Sequence, residues 1–115
     1  MITLNQAYGI YAKCESECTV PPRNNRDFKC AVDSDFANRI SKATKARIPR
    51  VGFYAVRRVG HNFGTKRYAD TRIITEIFQI AKITDKMVYG TGGQRCAKAD
   101  IIAILAPNKN GSELE

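Results

Sequence analysis

Ten of the chain's nineteen lysines and arginines fall between Arg39 and Arg72, against a single acid, Asp70, giving that stretch a net charge of +9. The whole chain is +8, so everything outside the stretch sums to −1. Charge of this density must face water, because an isolated buried ion costs far more than a buried hydrocarbon contributes. Yet Ile48, Val51, Phe53, Tyr54, Val56, Phe63 and Tyr68 are interleaved with the cations. The segment must therefore fold into amphipathic elements with an apolar inner side and a basic outer side. Each outward Lys or Arg can neutralise a phosphate and release a counterion, which points to a polyanion partner.

At 115 residues, with 43% hydrophobic and 26% charged residues, the chain is long and apolar enough for one core without covalent staples. The expected domain is residues 1–106, followed by a flexible polar tail at 107–115. No apolar run approaches the roughly 18–20 residues that span a bilayer. The start, Met-Ile-Thr-Leu-Asn-Gln, has neither the basic nor the apolar region of a secretory signal. A cytoplasmic protein without membrane association is expected. Cys14, Cys18, Cys30 and Cys96 could share a zinc ion. Structural zinc sites usually draw on two close pairs, and only Cys14 and Cys18 are close, so small buried side chains are the favoured reading.

Residues 4–18 read as a helix capped by Thr3, with Leu4, Ala7, Tyr8, Tyr11, Cys14 and Cys18 on one stripe. Pro21-Pro22-Arg23-Asn24-Asn25 ends it. A second helix is expected from Asp35 to about Arg47, capped by Ser34 and stopped by Pro49, with Arg39, Lys42 and Lys45 along its outer face. Val51–Val59 alternates as a strand, placing Arg50, Tyr54, Val56 and Arg58 on one side. Gly60–Gly64 would be a hairpin loop and Thr65–Ala69 the returning strand, together forming a two-stranded basic arm. In 70–83, the spacing of Ile73, Ile74, Ile77, Phe78 and Ala81 favours a helix capped by Asp70 or Thr71, although the isoleucines and threonines also suit a strand. Two strands, 86–89 and 97–106, would flank the turn Gly90-Thr91-Gly92-Gly93. The fold class is α+β: two N-terminal helices, then a small, mainly antiparallel sheet with room for one more helix.

The strongest functional constellation is the basic helix face with the basic hairpin. Arg39, Lys42, Lys45, Arg50, Arg57, Arg58, Lys66 and Arg67 would contact phosphates, while Tyr54 or Tyr68 stacks on a base or fixes register. The hairpin could equally enter the major groove of duplex DNA. The turn at Gly90–Arg95 lacks the Lys-Ser/Thr pair of a phosphate loop and reads as a hairpin turn, with Arg95 beside it available for one phosphate. His61 stands alone in sequence, with no acid beside it to orient it as a base. A metal-dependent nuclease would need Asp70 and Glu76 to converge on a cation. Gly9-Ile10-Tyr11 and Gly52-Phe53-Tyr54 each resemble the opening triplet of the GIY-YIG nuclease signature, but its second triplet is absent and no catalytic residue carries over. The expected function is therefore nucleic-acid binding by an accessory or regulatory protein of the phage or mobile-element type. The alternatives are an interaction module or inhibitor whose basic face docks on an acidic protein, and a small nuclease.

Overall fold

The computed structural model describes residues 2–44, 48–65, 67 and 69–107. Helix α1 spans Leu4–Glu17. Thr3 caps it as expected: its hydroxyl accepts from the Gln6 amide, and the Gln6 side-chain oxygen accepts from the Thr3 amide, so two otherwise orphaned donors are satisfied. Helix α2 spans Asn25–Ala43 and begins ten residues earlier than the sequence suggests. The Pro-Pro-Arg-Asn segment forms one turn, closed by the Asn24 amide on the Pro21 carbonyl. Asn24 then serves as N-cap residue, its side-chain amide held by Asp27. Phe28, Val32, Phe36 and Ile40 recur every four residues on the inner face, and Ser34 stands exposed in mid-helix, where it caps nothing. The helix ends at Ala43, before Pro49 can act. Lys45, Ala46 and Arg47 lie outside the described residues.

Five strands follow: β1 (Tyr54–Asn62), β2 (Thr71–Ile83), β3 (Met87–Gly90), β4 (Arg95–Ala97) and β5 (Ile101–Leu105), with a 3₁₀ turn at Lys98–Asp100. They form one antiparallel sheet in the order β4-β3-β2-β1-β5. The α+β arrangement thus holds, and no third α-helix occurs among the described residues. No helix among them is long and apolar enough to cross a membrane.

Several boundaries move. β1 starts at Tyr54 because Arg50–Phe53 closes a tight turn in which Gly52 takes a positive φ of 91°, a geometry that favours glycine. It then continues through Gly60, His61 and Asn62, so these are strand and not loop. The returning strand is β2, not Thr65–Ala69; Thr65, Arg67 and Ala69 lie in the connection, and Lys66 and Tyr68 fall outside the described residues. The expected helix at 70–83 is wrong. Ile77 packs toward the helices while Phe78 and Ile80 pack on the opposite face. A strand buried on both faces puts apolar residues side by side, and that adjacency imitates a helical stripe. The strand expected at 97–106 is divided by the 3₁₀ turn. The turn after β3 is as expected, and Gly90 is required there: a Cβ would sit 2.7 Å from the Phe78 ring.

The two faces of the sheet have separate cores. Leu4, Ala7, Cys14, Val32, Phe36 and Ile40 of the helices cover Tyr54, Val56, Ala103 and Leu105. On the other face, Ala55, Phe78, Ile80, Val88, Cys96, Ile101 and Ile104 pack on one another. The topology explains how this second face is closed. β4 and β5 are the two edges of the sheet, yet only three residues separate them. Four chain steps reach about 14 Å at most, whereas the edges of a flat five-stranded sheet lie about 19 Å apart. The sheet must curl until its edges approach, enclosing the second core.

Asp33 ties the helices to the sheet. It is 2% exposed. One carboxylate oxygen accepts from the Tyr11 hydroxyl at 2.9 Å, and the other takes the Thr75 amide at 3.3 Å. That amide lies on the edge of β2 turned away from β1, so the carboxylate stands in for a missing strand. Burial and the bond to Asp33 hold the Tyr11 phenol well above its ordinary pKa range.

Arg57 joins the seam of the curled sheet. Its guanidinium lies 5.2 Å from the Phe78 ring centre, pairs with Glu76 directly across on β2, and donates to the Arg95 carbonyl on β4. Its side chain is 17% exposed. Arg57→Ala should cost about 2–4 kcal/mol in urea unfolding, because it strands Glu76 and unties β4. The neighbouring Arg58→Ala should cost under about 1 kcal/mol.

Candidate nucleic-acid interface

Two of the nominated arginines and a third from the far edge of the sheet line one groove. Arg57 and Arg58 of β1 and Arg95 of β4 face a depression of about 620 Å³ walled by Met87, Ala97, Ala99, Asp100 and Ile102, with Cys96 on its floor. The groove runs along the seam where β4, the 3₁₀ turn and β5 approach β1. Arg57 is pre-set: its Nε donates to Glu76 and its Nη1 to the Arg95 carbonyl, while Nη2 lies 2.7 Å from the same Glu76 oxygen. Arg58 is steadied by Asn38 of α2 at 3.3 Å. Arg95 has no ion-pair partner among the described residues and is exposed. Lys86 and Lys98 flank the groove, since the Lys98 amide donates to the Lys86 carbonyl and their neighbours Met87 and Ala99 line it. Asp100 is the one acid in the wall.

The rest of the basic block is distributed differently from its linear order. Arg39 does not belong to a solvent-facing basic stripe; its guanidinium joins the helices by bonding Glu17 of α1 and Asp35 one turn back. Arg72 pairs with Asp27 and Asp70, and Asp70 also holds Arg26. Lys42 and Arg50 are exposed and are not among the residues that line the groove. Arg67 is exposed in the β1–β2 connection. Tyr54 is 4% exposed in the helix-side core, so its ring is not offered to a base. Lys45, Lys66 and Tyr68 lie outside the described residues.

His61 is exposed on β1, its ring 4.6 Å from that of Phe63. Asp70 and Glu76 do not converge. Six steps of extended chain separate them, roughly 20 Å, and each is held by arginine. Among the described residues no cluster of three or more His, Cys, Asp or Glu side chains forms a metal site. Cys14 belongs to the helix-side core and Cys96 to the core inside the sheet.

Sequence reasoning nominated Arg57 and Arg58, which line this groove, but took Arg95 only as an isolated cation and passed over Lys86 and Lys98. These three lie outside the dense block, in a segment whose charge is diluted by Asp85 and Asp100. The short link between β4 and β5 was the available signal, because it forces both edges of the sheet together. No family model matches the chain, and neither curated proteins nor solved structures return a match.

The thiols report on this geometry. Burial pushes Cys14 up to about 11, helped by its bond to Asp35. Burial also raises Cys96, with Arg57 pulling in the opposite direction. Only the thiolate reacts, so at neutral pH roughly one Cys14 in ten thousand is competent. In native protein Cys18 and Cys30, both half-buried, should react first with Ellman's reagent. Cys14 and Cys96 should follow only as the chain opens, or as pH rises toward their raised values. Equal rates for all four would contradict the packing.

Proposed function

We propose that this protein binds nucleic acid without catalysis, holding backbone phosphates in the Arg57–Arg58–Arg95 groove and preferring single strands to duplex. The observation that carries the reading is the convergence on one open groove of two arginines from β1 and a third from the β4 edge of the sheet. Planar guanidinium forks suit phosphate oxygens, and a groove floor that is already hydrogen-bonded loses little freedom on binding.

The preference for single strands rests on bulk. A major groove about 12 Å wide accepts a two-stranded ribbon. Here α2 lies against the β1–β2 ribbon, tied to it by Arg72–Asp27 and Thr75–Asp33. Ribbon and helix together are about 20 Å thick, since a helix alone adds roughly 10 Å, and the pair is too thick to enter.

Fluorescence anisotropy of labelled single-stranded and duplex oligonucleotides across a salt series tests this. One phosphate contact from each of the three arginines predicts a log–log slope of about −2 on single strands, and Arg58→Ala or Arg95→Ala should each flatten it by roughly 0.7. Arg39→Ala and Lys42→Ala should weaken binding far less. Absence of binding to any DNA or RNA at low salt would overturn the proposal.

One observation favours docking on an acidic protein instead: Ile48 and Val51 are both more than 60% exposed on either side of Arg50. Partner retention after nuclease treatment, lost on Ile48→Ser with Val51→Ser, would support that reading.

A further inference from the structure

A row of three side chains crosses the outer face of the sheet beyond the helices. Lys82 of β2 stands opposite Tyr89 of β3, and Tyr89 stands opposite Arg95 of β4. Their alternates, Val88 and Cys96, are buried in the core within the curl, so the row points the other way. Lys82 reaches that face because of a β-bulge. Ile80 is in the inner core, and strict alternation would send Lys82 inward beside it. The register shifts between Ile80 and Lys82, Ile83 takes the inner position, and Lys82 turns out.

The result is an aromatic ring between two exposed cations, one strand spacing from each. The Lys82 ammonium lies 5.8 Å from the centre of the Tyr89 ring. The Tyr89 hydroxyl has no hydrogen-bond partner among the described residues, and the ring is half-buried. No core contact requires a tyrosine here: the inner position of β3 belongs to Val88. Arg95 belongs both to this row and to the groove, so the two surfaces are continuous across β4.

We infer that Tyr89 is a base-stacking residue, on whose ring an unpaired base lies while Lys82 and Arg95 hold the phosphates to either side. This rests on the nucleic-acid reading above and adds to it the site that distinguishes a nucleobase polymer from a bare polyanion. Stacking is tolerant of sequence because every base has a π-face, and the flanking cations supply the affinity that depends on salt. Lysine, a flexible point charge, can leave the ring for a phosphate. Since a base must be unstacked from its neighbours to use such a ring, duplex gains nothing from it.

The test compares oligouridylate with inorganic polyphosphate of matched charge on the same protein. Wild-type protein should bind oligouridylate more tightly. Tyr89→Ala should lower oligouridylate affinity roughly five- to hundredfold and erase the difference between the two polymers, whereas Tyr89→Phe should keep it. Tyr89 ring resonances of the wild type should shift with oligouridylate and not with polyphosphate. Equal preference in Tyr89→Ala and wild type, or no ring shift on saturation, would overturn the stacking role and leave the groove reading intact. Failure of the wild type to bind either polymer would overturn both.

Discussion

The guanidinium of Arg57 is the point on which the curled sheet depends. It lies against Phe78, pairs with Glu76 across the β1–β2 ladder and takes the Arg95 carbonyl at the β4 edge. Three strands are joined by one side chain. A flat sheet would leave the face bearing Ala55, Phe78, Ile80 and Ile104 open to water. Curling covers it, but brings β4 toward a region with no backbone partner for its edge. A rigid fork supplies that partner, and a lysine would not, having one point charge where several directed donors are needed. The groove follows from the same geometry: Arg57, which holds the seam together, also lines the groove beside Arg58 and Arg95.

Charge in this molecule is sorted by folding more than by sequence. Arg39, Arg57 and Arg72 all sit in the dense block, yet each is matched by an acid from elsewhere: Glu17 and Asp35, Glu76, Asp27. The acids outside the block therefore cancel much of it. Arg58 and Arg95, which pair with no acid among the described residues, surface around the seam. Asp33 contributes differently. Its carboxylate occupies the outer edge of β2 at Thr75 and anchors Tyr11, which blocks strand addition there and holds both helices on one face.

Much of the architecture was legible in the chain. Thr3 and the apolar stripe behind it announced the first helix, the Gly90–Gly93 run announced a hairpin, and the alternation of Val51–Val59 announced a strand, which starts three residues later than expected. What failed did so for identifiable reasons. The Pro-Pro-Arg-Asn-Asn stop was also a start, so α2 lost its first ten residues. Strand β2 is apolar on both sides, and neither periodicity test can separate that from a helix; its density of Ile and Thr was the better guide. The candidate groove was half legible. Charge density pointed to Arg57 and Arg58, which line it, and Tyr54 was misplaced because burial on one strand face depends on which side the helices cover. Tyr89, Lys82 and Arg95 come together only through strand pairing and a bulge, neither of which local sequence reveals.

The ligand-binding surface proposed here is the seam and the outer face of β3–β4, and not the linear basic block. Amide chemical-shift mapping during titration with a single-stranded oligonucleotide addresses it directly. The expected shifts fall on Arg57, Arg58, Lys82 and residues 86–100. Shifts confined to Arg39–Thr44 and Arg50, with the seam silent, would contradict it.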